Sequence, residues 1–232
     1  MKRLIALLLL VGTMVALPAQ AREVRVTVTN LTHGIYFTPL LVAAHGPGQH
    51  LFKAGNKASP ELQAMAEGGD ISGLVARLAG TDAMVVENPA GGLLAPGVST
   101  TLELDVHRKQ RYLSLVAMIL PTNDGFVGLD GLRIPRQHGT TVHYLTASDA
   151  GTEANDEVIN GGGMPGVAGI PADPGGNGGS GASGVIDTEV NQTVHIHRGI
   201  IGDTLQEGGS SDLDSRVHRW LNPVAKVTIS VE

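Results

Sequence analysis

Hydrophobic and polar residues alternate along several short segments of the chain, which is typical of half-buried β-strands. In residues 23–29 valine occupies every second position, and polar residues occupy the others. Further strands are predicted over 39–44, 82–87, 98–105, 111–120, 126–134, 140–147, 190–197 and 224–231. Turns rich in Gly, Pro and Asn separate these strands, and helices do not alternate with them. The pattern therefore predicts an all-β fold, an antiparallel β-sandwich.

One part of the chain has helical spacing instead. Ser59 precedes Pro60, which places an N-cap residue before a proline at the first helical position, and Gly68-Gly69 ends this helix. Asp70 caps a second short helix. We expect the two helices to form an insertion that packs on a sheet edge.

The N-terminus has the three parts of a secretory signal peptide, over residues 1–21. Two basic residues, an apolar core over 4–17 and a small-residue cleavage motif at 19–21 follow one another. An uncleaved membrane anchor is the alternative, but the apolar run is shorter than the ~20 residues of a membrane span. We therefore expect a mature chain of residues 22–232, secreted or periplasmic, with no integral membrane segment.

Composition narrows the classes of partner and of site. The chain has 16 Lys+Arg against 22 Asp+Glu, and no Cys. This acidic balance argues against nucleic acid and against anionic lipid, since both are held by clustered Lys and Arg. Export without Cys excludes disulfides and thiolate ligands, so the fold must be held by its core, by bound metal or by both.

Residues 160–184 differ in composition from the rest of the chain. Eleven of these 25 residues are glycine, and none is aromatic. Such a segment buries too little apolar surface to offset the entropy of ordering it. We expect a flexible Gly-rich insertion within a single domain over residues 22–232.

Acidic and amide residues concentrate in two loops, 121–131 and 148–157. Only a short strand pair and a turn separate them, so both can reach one end of the sandwich. Carboxylates that converge there, with carbonyls freed by glycine, would form the hard-oxygen site that calcium prefers. The same Asn-Asp-Gly and Asp-Ala-Gly sequences are also ordinary turns. Spacing alone leaves both interpretations open.

Histidine spacing gives one further candidate. His195 and His197 alternate on a predicted strand, which puts them on the same face. They predict either a transition-metal pair that needs a third ligand, or a solvated strand face, which is the more common case. The sequence has no nucleophile elbow, Walker loop, zinc-protease motif or dinucleotide-binding motif.

Five segments of the chain share their sequences with a known family, and these are 59–62, 66–70, 122–130, 149–153 and 222–229. Together they resemble the spondin domain, and more closely its bacterial branch. The specific part of the resemblance is Asp-Gly-Phe-Val-Gly-Leu-Asp at 124–130, followed by Asp-Ala-Gly-Thr-Glu at 149–153. The resemblance covers about residues 22–232, with the Gly-rich insertion standing apart.

The resemblance implies a C2-like antiparallel β-sandwich with a calcium ion at one loop end. By matching the family's acidic ligands, it assigns the ion to Asp124, Asp149 and Glu153. Glu153 stands where animal relatives have Asp, so its carboxylate lies one methylene further out. Gly125 replaces a bulky aromatic residue, and we expect a looser first loop there.

The sequence leaves three classes of function open. The first hypothesis is an exported, non-enzymatic adhesion or ligand-binding module, in which calcium orders the loops and Asn123 and Asp130 shape the first of them. Its partner would be an envelope or surface protein or glycan. The second is a metal-dependent hydrolase that uses the same acids, with His138 or His143 as the nearest bases. A structural envelope protein whose acidic loops are only turns is the third. Receptor binding by the animal relatives does not carry over, because this chain lacks their additional repeats and disulfides.

Overall fold

A computed structural model describes residues 21–176 and 178–232 of the chain. Its strands are β1 (Arg22–Asn30), β2 (Tyr36–Phe37), β3 (Leu41–His45), β4 (Met84–Glu87), β5 (Ser99–Val106), β6 (Tyr112–Leu120), β7 (Gly125–Arg133), β8 (Gly139–Leu145), β9 (Ala147–Asp149), β10 (His195–Ile196) and β11 (Ala225–Val231). Its helices are α1 (Pro60–Gly68) and α2 (Ser72–Ala79). The strand pairs are antiparallel, so the predicted all-β sandwich is confirmed.

Residues 1–20 of the predicted signal peptide lie outside the described part of the chain. Among the residues that are described, no helix has the length and apolar character needed to cross a bilayer.

The first sheet has the strand order β5-β1-β11-β8. Along β1 every second residue is buried, as the alternating valines predict. Val26 lies opposite Ile229 on one side and opposite Leu102 on the other, and all three side chains enter the sandwich core. One face of this sheet is therefore apolar, and the other carries Thr, Ser and charged side chains.

The second sheet has the order β10-β9-β7-β6-β3-β4, with β2 also paired to β6. Its central strand β6 is buried on both faces, which explains why its sequence is apolar except at Ser114. Leu113 and Leu115 face the first sheet, whereas Val116 and Met118 pack against the helices. The helices thus cover the outer face of this sheet, and the prediction that they pack on a sheet edge is wrong.

The predicted ends of α1 are confirmed, whereas the start of α2 is shifted by one residue. The Ser59 hydroxyl accepts a bond from Leu62 N at 3.2 Å, and Gly69, with φ of 72°, caps the C-terminus of α1. The N-cap position of α2 is occupied by Ile71 rather than by Asp70. Asp70 nevertheless accepts a bond at Oδ1 from Ser72 N, the first residue of α2, at 2.8 Å.

The predicted strand over 140–147 is two strands in two sheets. β8 pairs with β11 in the first sheet, and β9 pairs with β7 in the second. The chain crosses from the first sheet to the second at Thr146. Directly after this crossing, Asn222 Oδ1 accepts a bond from Ala147 N at 2.9 Å. This crossing places Asp149 beside Gly125, the first residue of β7.

The predicted strand over 190–197 is mostly loop. Only β10 forms ladder bonds, because the residues before it pair with a loop rather than a strand. Val194 N donates to Asn56 O at 2.8 Å, and Gly55 N donates to Val194 O at 2.7 Å.

The Gly-rich segment lies along the C-terminal loops. Ile170 is fully buried beside Ile200 and Leu213. Asp212 Oδ1 accepts bonds from Ser180 N at 2.6 Å and from Ala182 N at 3.2 Å. These contacts place the described part of the segment, and its flexibility stays a prediction.

Candidate metal centre

The two acidic loops meet at the end of the second sheet. The β7–β9 register places Gly125 opposite Asp149, so Asp124 and Asp149 lie on neighbouring segments of the same sheet. Ala150 N donates to Asp124 O at 3.2 Å and ties the loops together. Both side chains are buried, at 0% exposure for Asp124 and 1% for Asp149.

Asp124 presents one oxygen that is fixed and one that is bare. Its Oδ2 accepts three bonds from the second loop, from Thr152 N at 2.7 Å, Thr152 Oγ1 at 3.1 Å and Glu153 N at 3.1 Å. Its Oδ1 is buried without a hydrogen-bond partner. Burial, with repulsion from Asp149, raises the pKa of Asp124 to about 7. The bare oxygen therefore belongs to a carboxylate that lacks a compensating positive charge.

Glu153 repeats this arrangement from the other side. Its Oε2 accepts bonds from Gly169 N at 3.1 Å and from Asn123 Nδ2 at 3.5 Å, while its Oε1 is buried and unpartnered. Burial raises the pKa of Glu153 to about 7, and repulsion from Glu67 and Asp124 adds to the rise.

Asp149 differs because both of its oxygens are already engaged. Oδ1 accepts a bond from Gly151 N at 2.8 Å, and Oδ2 accepts one from Asn155 Nδ2 at 2.9 Å. Each carboxylate oxygen has two lone pairs, so these bonds orient the group and leave it able to accept a further ligand.

The acidic loops offer some of the ligands that a metal ion needs, but they do not form a complete metal site. No group of three or more His, Cys, Asp or Glu side chains in residues 21–176 and 178–232 is arranged to hold a metal. Asp124 Oδ1 and Glu153 Oε1 are nevertheless the bare, buried oxygens that a hard cation would satisfy. The residues fit a cation held by these two side chains, with further oxygens from Asp149, backbone carbonyls or water.

The first loop is tightly packed at Gly125, contrary to the expected loosening. A Cβ at this position would lie 2.6 Å from Thr122 Oγ1 and 3.1 Å from His197 Cδ2. The space that an aromatic residue would need is therefore already filled.

Asn123 links the first loop to the second, and its role in shaping the first loop stays a prediction. Its Nδ2 donates to Asp156 Oδ1 at 2.8 Å, and its Oδ1 accepts a bond from Glu157 N at 3.3 Å. Asp130 has a different role: it accepts a bond from Leu51 N at 2.6 Å and lies 2.6 Å from His50 Nδ1. It fastens the loop after β3 to β7, and the prediction that it shapes the first loop is wrong.

The His195–His197 pair does not form a solvated strand face. His197 is buried against Trp220 with ring centroids 5.2 Å apart, and its Nδ1 accepts a bond from Gly199 N at 2.9 Å. Burial lowers the pKa of His197 to about 4, so the ring is neutral near pH 7. His195 Nδ1 donates to Thr193 O at 2.7 Å and lies 3.8 Å from Asp149 Oδ1.

The two histidines that the sequence offers as bases lie elsewhere. His138 is exposed. His143 lies on β8 in the first sheet, with its Nε2 3.2 Å from Thr141 Oγ1. Among the hydrogen bonds and ion pairs of the described residues, none joins either histidine to an acidic loop. The histidine beside the acids is His195, which the sequence identified only as half of a metal pair.

Sequence reasoning also missed the part that the Gly-rich segment plays. Gly169 N bonds Glu153, and Gly166 N donates to Glu67 Oε2 at 2.7 Å. Glu67 is fully buried at the end of α1, and its Oε1 accepts a bond from Gln63 Nε2 at 2.8 Å. The sequence signals for Glu67 are its place directly before the helix-ending glycines and its inclusion in segment 66–70 of the family resemblance.

Comparison with protein-family models matches residues 29–157 to the family described as Spondin_N. The matched range is more than half of the 232-residue chain. It contains both helices, the first loop and the second loop, and it ends before the Gly-rich segment. No curated protein matches the chain.

Proposed function

Because this chain belongs to the Spondin_N family, we propose that it is an exported, non-enzymatic binding module whose acidic loops are held together by calcium. The family's domain is of an extracellular ligand-binding or adhesion type. The observation that carries the calcium assignment is the pair of bare, buried carboxylate oxygens on Asp124 and Glu153.

The physical case rests on what these carboxylates do without an ion. An ionised carboxylate that is buried and unpaired is destabilising, and its neighbours add repulsion. A divalent cation converts that repulsion into ties between the two loops, and its binding free energy becomes folding free energy. Calcium fits best, because the oxygens come from irregular loops, whereas magnesium needs a stricter octahedron and zinc favours His or Cys.

Calcium would act here as a clamp on a binding surface. Glu153 contacts the first loop through Asn123 and the Gly-rich segment through Gly169, so one ion would order three segments at once. The ligand would be a protein or glycan of the envelope or cell surface. A hydrolase would need a base at the acids. In the described part of the chain, no hydrogen bond or ion pair joins His138 or His143 to the acidic loops, so His195, 3.8 Å from Asp149 Oδ1, is the remaining candidate.

The direct test is calcium binding by the full mature protein, measured by competition with a fluorescent chelator. Asp124→Asn should weaken calcium binding by at least about tenfold, because it removes the charge on the bare oxygen. Asp130→Asn, an acid on the same hairpin outside the site, should leave the affinity within about twofold. Equal calcium affinity in the parent protein and both variants would show that Asp124 is not a calcium ligand. Absence of binding would favour the structural envelope protein.

Turnover assays separate the remaining alternative. The binding module should hydrolyse no ester, peptide or glycoside substrate. A hydrolytic activity that is lost in His195→Gln, with calcium affinity and melting temperature unchanged, would establish the hydrolase instead.

A further inference from the structure

The opposite end of the sandwich carries a cleft lined by arginine. Its volume is about 560 Å³. Its five arginines, which define the arginine cleft, are Arg22, Arg108, Arg111, Arg133 and Arg136. β6 and β7 pair from Tyr112–Arg133 at the cleft to Met118–Phe126 beside the acidic loops. At ~3.3 Å per residue the cleft lies roughly 25 Å from Asp124.

Both sheets contribute to the arginine cleft. Arg22 begins β1 in the first sheet, whereas Arg111 precedes β6 and Arg133 ends β7 in the second. Val106 and Ile134 are buried and form an apolar floor between the two sheets. Strand ends on a rigid core therefore fix the bases of these arginine side chains.

The positive charges in the cleft are not neutralised by the protein. Several arginines elsewhere are paired with acids, as Arg25 with Glu103 at 3.0 Å and Arg216 with Asp214 at 2.7 Å. Within residues 21–176 and 178–232, no arginine of the cleft lies within 4.0 Å of an Asp or Glu oxygen. The Arg22 guanidinium donates to the Pro135 carbonyl at 2.9 Å, an uncharged acceptor. Like charges held this close repel one another, so a bound anion would be stabilised by all of them.

We propose that the arginine cleft binds a compact oligophosphate, a small ligand with two or more phosphate groups. The planar guanidinium group binds phosphate through two parallel hydrogen bonds. Each phosphate group carries about −1.5 to −2 charges near pH 7, so two or three groups match five arginines. Carboxylates would need about five groups in the same space. The cleft volume lies in the range of small-molecule sites, roughly 300–1,000 Å³.

The surroundings of the cleft favour a small ligand over an extended polyanion. Glu23 and Asp105 lie opposite each other on the strands that end at the cleft, and Asp105 is exposed. The Glu232 carboxylate lies near them, since it is 3.0 Å from Arg25, which also contacts Glu23. A nucleic acid or an anionic membrane would have to cross these carboxylates, whereas a compact ligand would not.

The test is calorimetric titration of the mature protein with inorganic triphosphate. EDTA is present, so that the probe cannot bind through a metal. The cleft variant is Arg111→Gln/Arg133→Gln, and its charge-matched control is Arg25→Gln/Arg216→Gln. We expect saturable 1:1 binding that is at least about tenfold weaker in the cleft variant and within about twofold of the parent in the control.

Additional ligands identify the source of the phosphate and the outcomes that contradict the proposal. Binding of glucose 1,6-bisphosphate as tightly as triphosphate would identify a phosphorylated sugar, and preference for triphosphate would identify a free oligophosphate. The proposal is overturned if neither probe binds saturably, or if both double variants lose affinity equally. Tighter binding of citrate than of either phosphate, or binding only of duplex DNA or anionic vesicles, would overturn it as well.

Discussion

The two ends of the sandwich hold opposite charges in opposite ways. At the acidic end Asp124 and Asp149 are buried and surrounded by hydrogen bonds from the backbone. At the other end Arg111 and Arg133 are exposed on strand termini. A buried charge is strongly coupled to folding, whereas an exposed one contributes little to stability and is available to a ligand.

This difference predicts which experiments respond at each end. Changes in the acidic loops should alter the free energy of unfolding, and calcium should alter it too. Changes in the arginine cleft should alter ligand affinity while stability stays nearly constant. The β6–β7 hairpin connects both ends, so the comparison is made within one element.

The largest effect is expected from Asp124→Ala. The substitution removes a fully buried side chain and leaves three part-buried donors on Thr152 and Glu153 without an acceptor, so we expect a loss of about 2–4 kcal/mol in the free energy of unfolding. Asp105→Ala removes an exposed carboxylate, and Arg111→Gln/Arg133→Gln removes two exposed charges. In urea denaturation, the free energy of unfolding of each of these two variants should stay within about 0.5 kcal/mol of the parent value. A similar loss in all three would erase the distinction between the two ends.

The close packing of the second loop gives the next effect. Gly151 has φ of 68°, and a Cβ there would lie 2.7 Å from Thr193 N and Thr193 O. We expect Gly151→Ala to lose about 2–3 kcal/mol, from backbone strain and from the steric clash.

Gly161→Ala is the matched control for this substitution. Gly161 has φ of 79° and no atom within 4 Å of its Cβ position. It should lose only about 1 kcal/mol, because it carries the backbone strain without the clash. Equal losses in urea denaturation would show that close packing against Thr193 adds nothing.

A smaller effect is expected from pH in the absence of calcium. The folded pKa values of Asp124 and Glu153 are raised to about 7, so between pH 8 and 6.5 the folded state takes up protons that the unfolded state does not. The free energy of unfolding should therefore rise as the pH falls through this window. The expected rise is about 1 kcal/mol, after the contribution of half-buried Glu153 is discounted for solvent screening.

Denaturation in EDTA at the two pH values measures this rise. It should shrink in Asp124→Asn, and it should disappear in saturating calcium, which keeps the carboxylates ionised. The lowered pKa of His197 has the opposite sign: it destabilises the fold only as the pH falls below about 6.5. A fall in stability between pH 8 and 6.5 would contradict the pKa values of the acidic loops.

The sequence predicts the framework because its signals are local. Alternating valines identify β1, Ser59 and Gly69 bound α1, and the apolar run identifies β6. The order of the acidic residues within two loops, with the family resemblance, is enough to nominate Asp124, Asp149 and Glu153. Local pattern does not show which oxygens stay bare.

What the sequence leaves out depends on contacts between distant residues. Asp130 accepts a bond from Leu51 N, 79 positions earlier, and Gly169 reaches Glu153 from a segment that composition sets apart. Thr146 carries no signal that the chain changes sheets there, since both flanking strands have the same alternating pattern.

Net charge likewise conceals the arginine cleft. The formal charge of −6 is a sum over the chain, and it argued against polyanionic partners in general. The basic stretches at 107–111 and 133–136 are the signal that sequence reasoning passed over. Only the antiparallel topology shows that they converge with Arg22, because each lies at a strand end on the same side of the sandwich.

The most direct test of the central claim is thermal melting of the mature protein in EDTA, in millimolar calcium and in millimolar magnesium. If calcium ties the acidic loops together, calcium at ~100 times its dissociation constant should stabilise the fold by about 2.7 kcal/mol. Magnesium should have a much smaller effect, and the calcium shift should be lost in Asp124→Asn. Identical melting of metal-free protein in all three solutions, with metal analysis confirming that no ion was retained, would contradict a calcium-bound acidic end.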